Sequence, residues 1–491
     1  MMMRKTFLLA LLAAIVVSGS AVAATITIQN NDAANQGFND PTPATPIGGN
    51  PGTTLGEQRL NAFKAAAQIW GDLLESPVPI VISATFAPIN STGNPCTATS
   101  AILGQASAVG YLADFTNAPL PHVAYPVALA NSLAGRDLNP GVADINAQFN
   151  ALVDNPTCLG ATNWYYGLDG NHGIHVDLIA VLLHEFGHGL GFAGNTSTNS
   201  GNFVSGGGTP SVFDIHIFDN QAGLRWDQMS SQQRLVSMIN TGRLAFDGPL
   251  TKAHAATLLK PMTLLSVNSP SIIARGFDIG TATFGPAVDN ITLSADVVAA
   301  TDASDFIGPS TTDGCSAYTN PSAVAGKWAL VDRGGNAAGE PPCTFVLKAQ
   351  NAQAAGAIGI IIADNRAETC QPPGMSGSDA SITIPVISIS QNDGAAIRGQ
   401  VANGVHATLH FDPTRLAGTT AEGNPRLYAP CTLAPGSSIY HFDVTATPNL
   451  LMEPFISDDL AHIPDLTLDQ LRDIGWKIPA PKGGRTILRR F

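Results

Sequence analysis

Charge is scarce in this chain: of its 491 residues only 12% are Asp, Glu, Lys or Arg, while 44% are hydrophobic. That balance excludes a disordered polyampholyte and leaves apolar material for more than one core. Positive charge is scarcer still, with Lys+Arg 24 against Asp+Glu 37 and a formal net charge of -13. No global basic field exists to attract a phosphate backbone, so nucleic acid is not an expected partner. Beyond the N-terminal residues no apolar run reaches the ~20 residues that span a bilayer, and stable membrane insertion is not expected. No Asp-x-Asp-x-Asp-Gly loop is present, so calcium has no supporting motif. Nothing in the sequence specifies an oligomeric state.

What is there begins with an export signal. Arg4 and Lys5 precede an apolar run from Phe7 to Val17, and Ala21-Val22-Ala23 supplies the small residues of a cleavage site, so residues 1–23 read as a secretory signal peptide. The destination is the periplasm or the medium. The chain has Cys 6, an even number with no Cys-x-x-Cys pair, which in an exported protein favours disulfides over thiolate metal sites. Position along the chain suggests Cys96 with Cys158, Cys315 with Cys343, and Cys370 with Cys431.

Leu60, Phe63, Ala67, Trp70 and Leu74 recur at helical spacing and predict a helix over 57–75 with one apolar stripe. Thr25 to Gln29 and Ile80 to Phe86 read as strands. Ile145 to Asn150 alternates with period two, as a strand with one wet face does, and is expected at a sheet edge. A helix is expected from about His175 to Gly189, ended by Gly189 and Gly191. From about Phe284 to Pro413, strand and helix signals alternate as in an independent α/β module. The segment from Arg426 to Trp476 would return to the first domain, and 477–491 reads as a flexible tail.

The strongest chemical signal is His184-Glu185-Phe186-Gly187-His188. Histidines at i and i+4 share a helix face and can reach one Zn²⁺, while the glutamate between them addresses a water on that metal. Catalytic zinc takes three protein ligands. In Phe213 to Asp219 a strand would place Asp214 and His216 on one face, where either could be the third; Glu453 is a further carboxylate candidate.

HEFGHGLGF resembles the zinc helix of the metzincin metallopeptidases, in which the chain turns at a glycine, here Gly191, toward a third ligand three residues later. Gly194 occupies that position and cannot bind metal. The leishmanolysin-like branch instead places a long insertion after the helix and takes its third histidine shortly before the methionine of the Met-turn. Ser438-Ile439-Tyr440-His441-Phe442-Asp443 and Leu450-Leu451-Met452-Glu453-Pro454 are similar to those two elements, with Phe442 where Trp is usual and Tyr440 where Ser would be. The resemblance implies His441 as third ligand and Met452 as the floor beneath the metal. It also implies an inhibitory propeptide with a cysteine, yet no cysteine precedes Cys96, so latency through a thiolate on zinc is not expected. The inserted block, with WALVDRG, CTFVLKAQNAQAAGAIGIIIADN and IPVISIS, resembles a protease-associated (PA) domain, which accompanies peptidases as a lid or substrate-contact module.

The expected fold class is therefore α+β: a metzincin-like zinc peptidase domain, a twisted sheet plus active-site helix, interrupted by an α/β PA domain. Its boundaries are 24–283 and 414–476 for the peptidase domain and 284–413 for the insert. The expected function is a secreted zinc metalloendopeptidase holding one catalytic Zn²⁺ through His184, His188 and His441. Glu185 acts as general base toward the zinc-activated water, and proteins or peptides are the substrate. The rival readings are a zinc exopeptidase and a non-catalytic extracellular binding or adhesion protein on the same scaffold. A structural metal helix has no need of Glu185.

Overall fold

A computed structural model describes residues 22–479 apart from 90–94, 99, 205–206, 335–342, 367–369 and 458. The expected signal peptide up to position 21, and the expected tail from position 480, lie outside the described residues.

The first unit is a sheet carried on two helices. Its strands are β1 (Ile26–Asn30), β2 (Ile80–Ala87), β3 (Gly104–Ala108) and β4 (Ile145–Asn150), in spatial order β1-β2-β4-β3. β1, β2 and β4 run parallel, and β3 is antiparallel to β4. This corrects the placement of Ile145 to Asn150 at the edge: β4 lies between β2 and β3, and the edge strand on that side is β3. Period-two alternation reports that one face of a strand is wet, as the exposed Asn146 is here, but says nothing about its lateral neighbours. Asn150 N donates to Leu103 O and Val109 N to Asp144 O. The odd-numbered residues of β3 therefore pair with β4, while Gly104, Ala106 and Ala108 turn their N–H and C=O groups to the open side.

Helix α1 (Leu55–Leu73) starts at a capping box in which Thr54 accepts from the Glu57 N–H and the Glu57 carboxylate accepts from the Thr54 N–H, satisfying two donors that a helix start leaves orphaned. Its stripe of Ala62, Phe63, Ala66, Ala67 and Trp70 is buried. Helix α2 (Leu178–Leu190) is shorter at its start than expected. Val176–Asp177 pairs with Trp164–Tyr165, and the Asp177 carboxylate then accepts the Ile179 N–H at 2.9 Å as the cap. Trp70 Nε1 donates to Leu183 O at 3.1 Å, locking α1 to α2. A Cβ on Gly189 would come within 2.4 Å of Ile145 Cγ2, so glycine is what lets α2 lie against β4. Gly191 ends the helix with φ at +130°, a conformation that glycine alone adopts readily.

The stretch from Phe213 to Asp219 is not one strand. Asp214–His216 forms a 3-10 turn and only Ile217–Asp219 is extended, antiparallel to β5 (Leu244–Phe246).

The inserted unit is an eight-stranded sheet of β6 (Pro261–Ser269), β7 (Arg275–Phe277), β8 (Gly280–Thr281), β9 (Leu293–Ala299), β10 (Trp328–Asp332), β11 (Gly359–Ala363), β12 (Val386–Ile389) and β13 (His406–Leu416). The spatial order is β7-β6-β13-β9-β10-β11-β12-β8. β9 to β12 are parallel neighbours, with α3 (Phe345–Ala354) connecting β10 to β11, while α4 (Gln391–Arg398) follows β12. Separate apolar clusters fill the two faces of the sheet. The sheet takes in residues on both sides of the expected boundaries of 284 and 413, because β6 pairs with β13 from Pro261↔Leu416 onward. That pairing joins segments far apart in sequence, which local patterning does not reveal. After the insert the chain rejoins the first core, to which Leu427, Ile439, Phe442, Met452 and Trp476 contribute, and α5 (Asp465–Asp473) follows.

Candidate metal centre

Every residue of α2 except His188 is buried, so its polar side chains must be satisfied by protein or by a bound group. His184 and His188, one turn apart, meet His441 from the returning segment. The three Nε2 atoms lie 3.1, 3.2 and 3.2 Å from one another. Among the described residues this is the one cluster of three or more His, Cys, Asp or Glu side chains able to hold a metal ion.

The opposite nitrogens fix the protonation. His184 Nδ1 is 2.7 Å from Leu451 O, His188 Nδ1 is 2.8 Å from Phe192 O, and His441 Nδ1 is 2.7 Å from Ser437 O. A carbonyl oxygen only accepts, so each Nδ1 carries the proton and each Nε2 presents a lone pair to the centre. Burial lowers the imidazole pKa values, to about 4 for His184 and about 3 for His188, where neighbouring His184 adds to the effect. His441 falls well below the ordinary value through burial and then the proximity of His188 and His184. At neutral pH three lone pairs therefore converge with no proton between them. The donor set fits a cation: the three Nε2 atoms form a near-equilateral triangle whose centre is about 1.8 Å from each, within reach of the ~2.0–2.1 Å Zn–N distance, so His184, His188 and His441 would hold a zinc ion. Backbone carbonyls that hold the distal nitrogen of each ligand are the usual support of such sites.

Glu185 is buried, and burial raises its carboxyl to about pKa 8, partly offset by a hydrogen bond from the Ala106 N–H. That donor is one of the groups β3 turns to its open side. A Cβ on Gly104 would lie 3.1 Å from Glu185 Cγ, so the small residues of β3 make room for the carboxylate. Met452 is fully buried against α2, its sulfur 3.0 Å from where a Cβ on Gly187 would stand. The Phe442 N–H donates to Met452 O at 2.7 Å, joining the His441 segment to the methionine turn.

The other candidates lie elsewhere. Asp214 is fully buried and accepts from Asn195 N at 3.0 Å, Ser211 N at 2.8 Å and Thr196 Oγ1 at 3.0 Å. These bonds close the 3-10 turn and hold the loop after α2. A Cβ on Gly194 would fall 2.2 Å from Asp214 Oδ1, so the position facing the turn must be glycine. His216 Nδ1 lies 3.2 Å from Asp247 Oδ1. Glu453 accepts the Leu450 N–H at 2.9 Å within the methionine turn. Sequence reading missed the three supporting carbonyls, the Ala106 N–H and Trp70 Nε1. Backbone groups carry no sequence signal, and Trp70 reads only as part of an apolar stripe.

Residues 293–397 match the PA domain family, and residues 50–204, which include α2 with His184, Glu185 and His188, match the family described as SPBPB7E8-like. The chain thus contains a PA domain within a mixed α and β protein. Among curated proteins it is 44% identical over 101 residues to vacuolar-sorting receptor 2 of Arabidopsis thaliana, covering 18% of this chain and 15% of that protein. It is 39% identical over 92 residues to human ER degradation-enhancing alpha-mannosidase-like protein 3, covering 17% and 9%. The chain spans less than a fifth of the length of either relative. The zinc aminopeptidase BSAP of Bacillus subtilis aligns over 33% of this chain and 36% of its own at 24% identity, with a TM-score of 0.21, a level at which neither fold nor activity is transferred. Three disulfides are formed, Cys96–Cys158, Cys315–Cys343 and Cys370–Cys431, as position along the chain suggested. No helix among the described residues is long and apolar enough to cross a membrane.

Proposed function

We propose that this chain is an exported zinc metalloendopeptidase of the leishmanolysin-like metzincin type, with a PA domain inserted between the zinc helix and the third ligand. The observation that carries the reading is the convergence of three Nε2 lone pairs, each backed by a carbonyl on its Nδ1, beside a buried glutamate. His184, His188 and His441 would hold the ion. Zinc bound there supplies a Lewis acid that polarises a peptide carbonyl and brings the pKa of water toward ~7.

Glu185 takes the proton of the attacking water and passes it to the leaving amine. Burial favours the protonated carboxyl, which helps Glu185 hold the proton between the two transfers. The Gly104 and Ala108 backbone groups on the open side of β3 flank Ala106 and offer an extended peptide main-chain partners without demanding one side chain. Met452 and Gly187 fill the space beneath the cluster and keep water out. Three disulfides support an oxidising, extracytoplasmic location.

Metal analysis combined with cleavage of a blocked, quenched peptide library tests the reading. Wild type should hold one zinc and cut. Glu185→Ala should keep zinc and lose a factor of ~10² to 10⁴ or more in rate, and His441→Ala should lose zinc. Cleavage only of peptides with free ends would make the enzyme an exopeptidase. Zinc binding without any cleavage would make it a binding protein.

A further inference from the structure

The inserted unit is fastened to the segment that carries His441 by three contacts of different chemistry. Cys370 is disulfide-bonded to Cys431. The next residue, Gln371, donates from Nε2 to Asp443 Oδ2 at 3.2 Å. Asp278, just after β7, pairs with Arg426 at 2.5 Å, and the Arg426 side chain is buried.

These three receptors bracket one piece of backbone. Asp443 N donates to Arg426 O at 3.0 Å, Tyr428 N to His441 O at 2.9 Å and Ile439 N to Tyr428 O at 2.7 Å. Residues 426–428 and 439–443 thus form two paired arms, with His441 on the second. On the far side the first arm bonds to β5, through Leu427 N to Leu244 O. Arg426 ties the first arm to the insert, Asp443 ties the second, and Cys431 anchors the loop between them. His184 and His188 need no such help, because a helix already sets their spacing. His441 has no helix beneath it, and its aim depends on where these arms are held.

We propose that the inserted unit is a positioning part of the metal centre: Cys370 and Gln371 of the PA domain, with Asp278 after β7, hold the arms from Arg426 to Asp443 so that His441 Nε2 meets the other two nitrogens. The proposal rests on the zinc reading of the three histidines. An imidazole left free to wander costs ordering entropy each time a metal binds, so loosening the junction weakens the metal rather than the fold. The inserted unit would act on the site through the backbone, without touching substrate.

The test is zinc affinity of the full chain by competition with a chromophoric chelator, which needs no turnover. The variants are Cys370→Ser with Cys431→Ser, Gln371→Leu and Asp278→Asn, with Cys96→Ser plus Cys158→Ser as a control bridge within the first unit. Each junction variant should raise the zinc Kd about tenfold, the lower end for loss of a supporting partner, with unchanged circular dichroism. The control should stay within about twofold of wild type, as a site with no shared partners does. Junction variants that bind zinc like wild type, or a control that weakens equally, would overturn the proposal alone. A wild type that binds no zinc would overturn the zinc reading and this proposal together.

Discussion

Gly187 and Met452 meet face to face: the glycine lies on α2 between the two histidines, and a Cβ there would stand 3.0 Å from the methionine sulfur. Met452 is fully buried and has little room to retreat. Gly187→Ala should therefore push the methionine turn away from the helix. Overpacking of this kind costs about 1–3 kcal/mol. Because Leu451 O bonds His184 Nδ1 at 2.7 Å, the same displacement should disturb a metal ligand. Urea unfolding and zinc titration read the two effects separately, and an unchanged variant in both would show that the sulfur yields freely.

Ala106→Pro removes an N–H that faces the open side of β3 and not the ladder, so the sheet loses no interstrand bond. The loss falls on Glu185, whose pKa that hydrogen bond lowers. Without it the carboxyl titrates at higher pH, and the acid limb of the kcat/KM profile should move toward the alkaline side. A fold retained by circular dichroism with an unshifted profile would separate Ala106 from the reaction.

Glu453 supplies a pH dependence of stability. Burial raises its carboxyl to about pKa 8, reinforced by Asp443, Asp465 and Asp459, against 4.5 for the free group. Between those values the folded chain holds a proton that the unfolded chain releases, so its contribution to stability is complete below the lower value and is lost as pH rises through the higher one. Glu453→Gln keeps an acceptor for the Leu450 N–H and does not titrate. The drop in urea midpoint from about pH 5 to about pH 9 should be smaller in the variant. An equal drop would assign the pH dependence to other groups.

How much of this was legible in the sequence follows the range of each signal. Helical periodicity carried α1 and α2 to within a few residues, and the His184 and His188 spacing is local. His441 was reached only through a resemblance of frame, since 253 residues separate it from His188. The edge strand was not legible: Gly-Gln-Ala-Ser-Ala in β3 has no β-branched or aromatic residue, and its smallness answers to Glu185 instead of to strand propensity. Asp214 was a candidate because a strand would set it beside His216 on one face; the segment is a 3-10 turn instead, and Asp214 is occupied by the Asn195 and Ser211 N–H groups and the Thr196 hydroxyl. That β6 joins the sheet of the insert was not legible either, since its partner β13 lies near the insert's other end and alternating local signals do not reveal such a pairing.

That arrangement has a temporal side. Synthesis runs from the N terminus, and domains fold as units while the chain emerges. His184 and His188 leave the ribosome with α2, but the third imidazole follows only after the whole eight-stranded sheet from β6 to β13 has been made. Until β13 closes against β6 and returns the chain beside its point of departure, the nascent protein has two histidines on a helix and nothing to meet them. Completion of the cluster thus waits on the insert, and a chain that stops within it lacks the third imidazole.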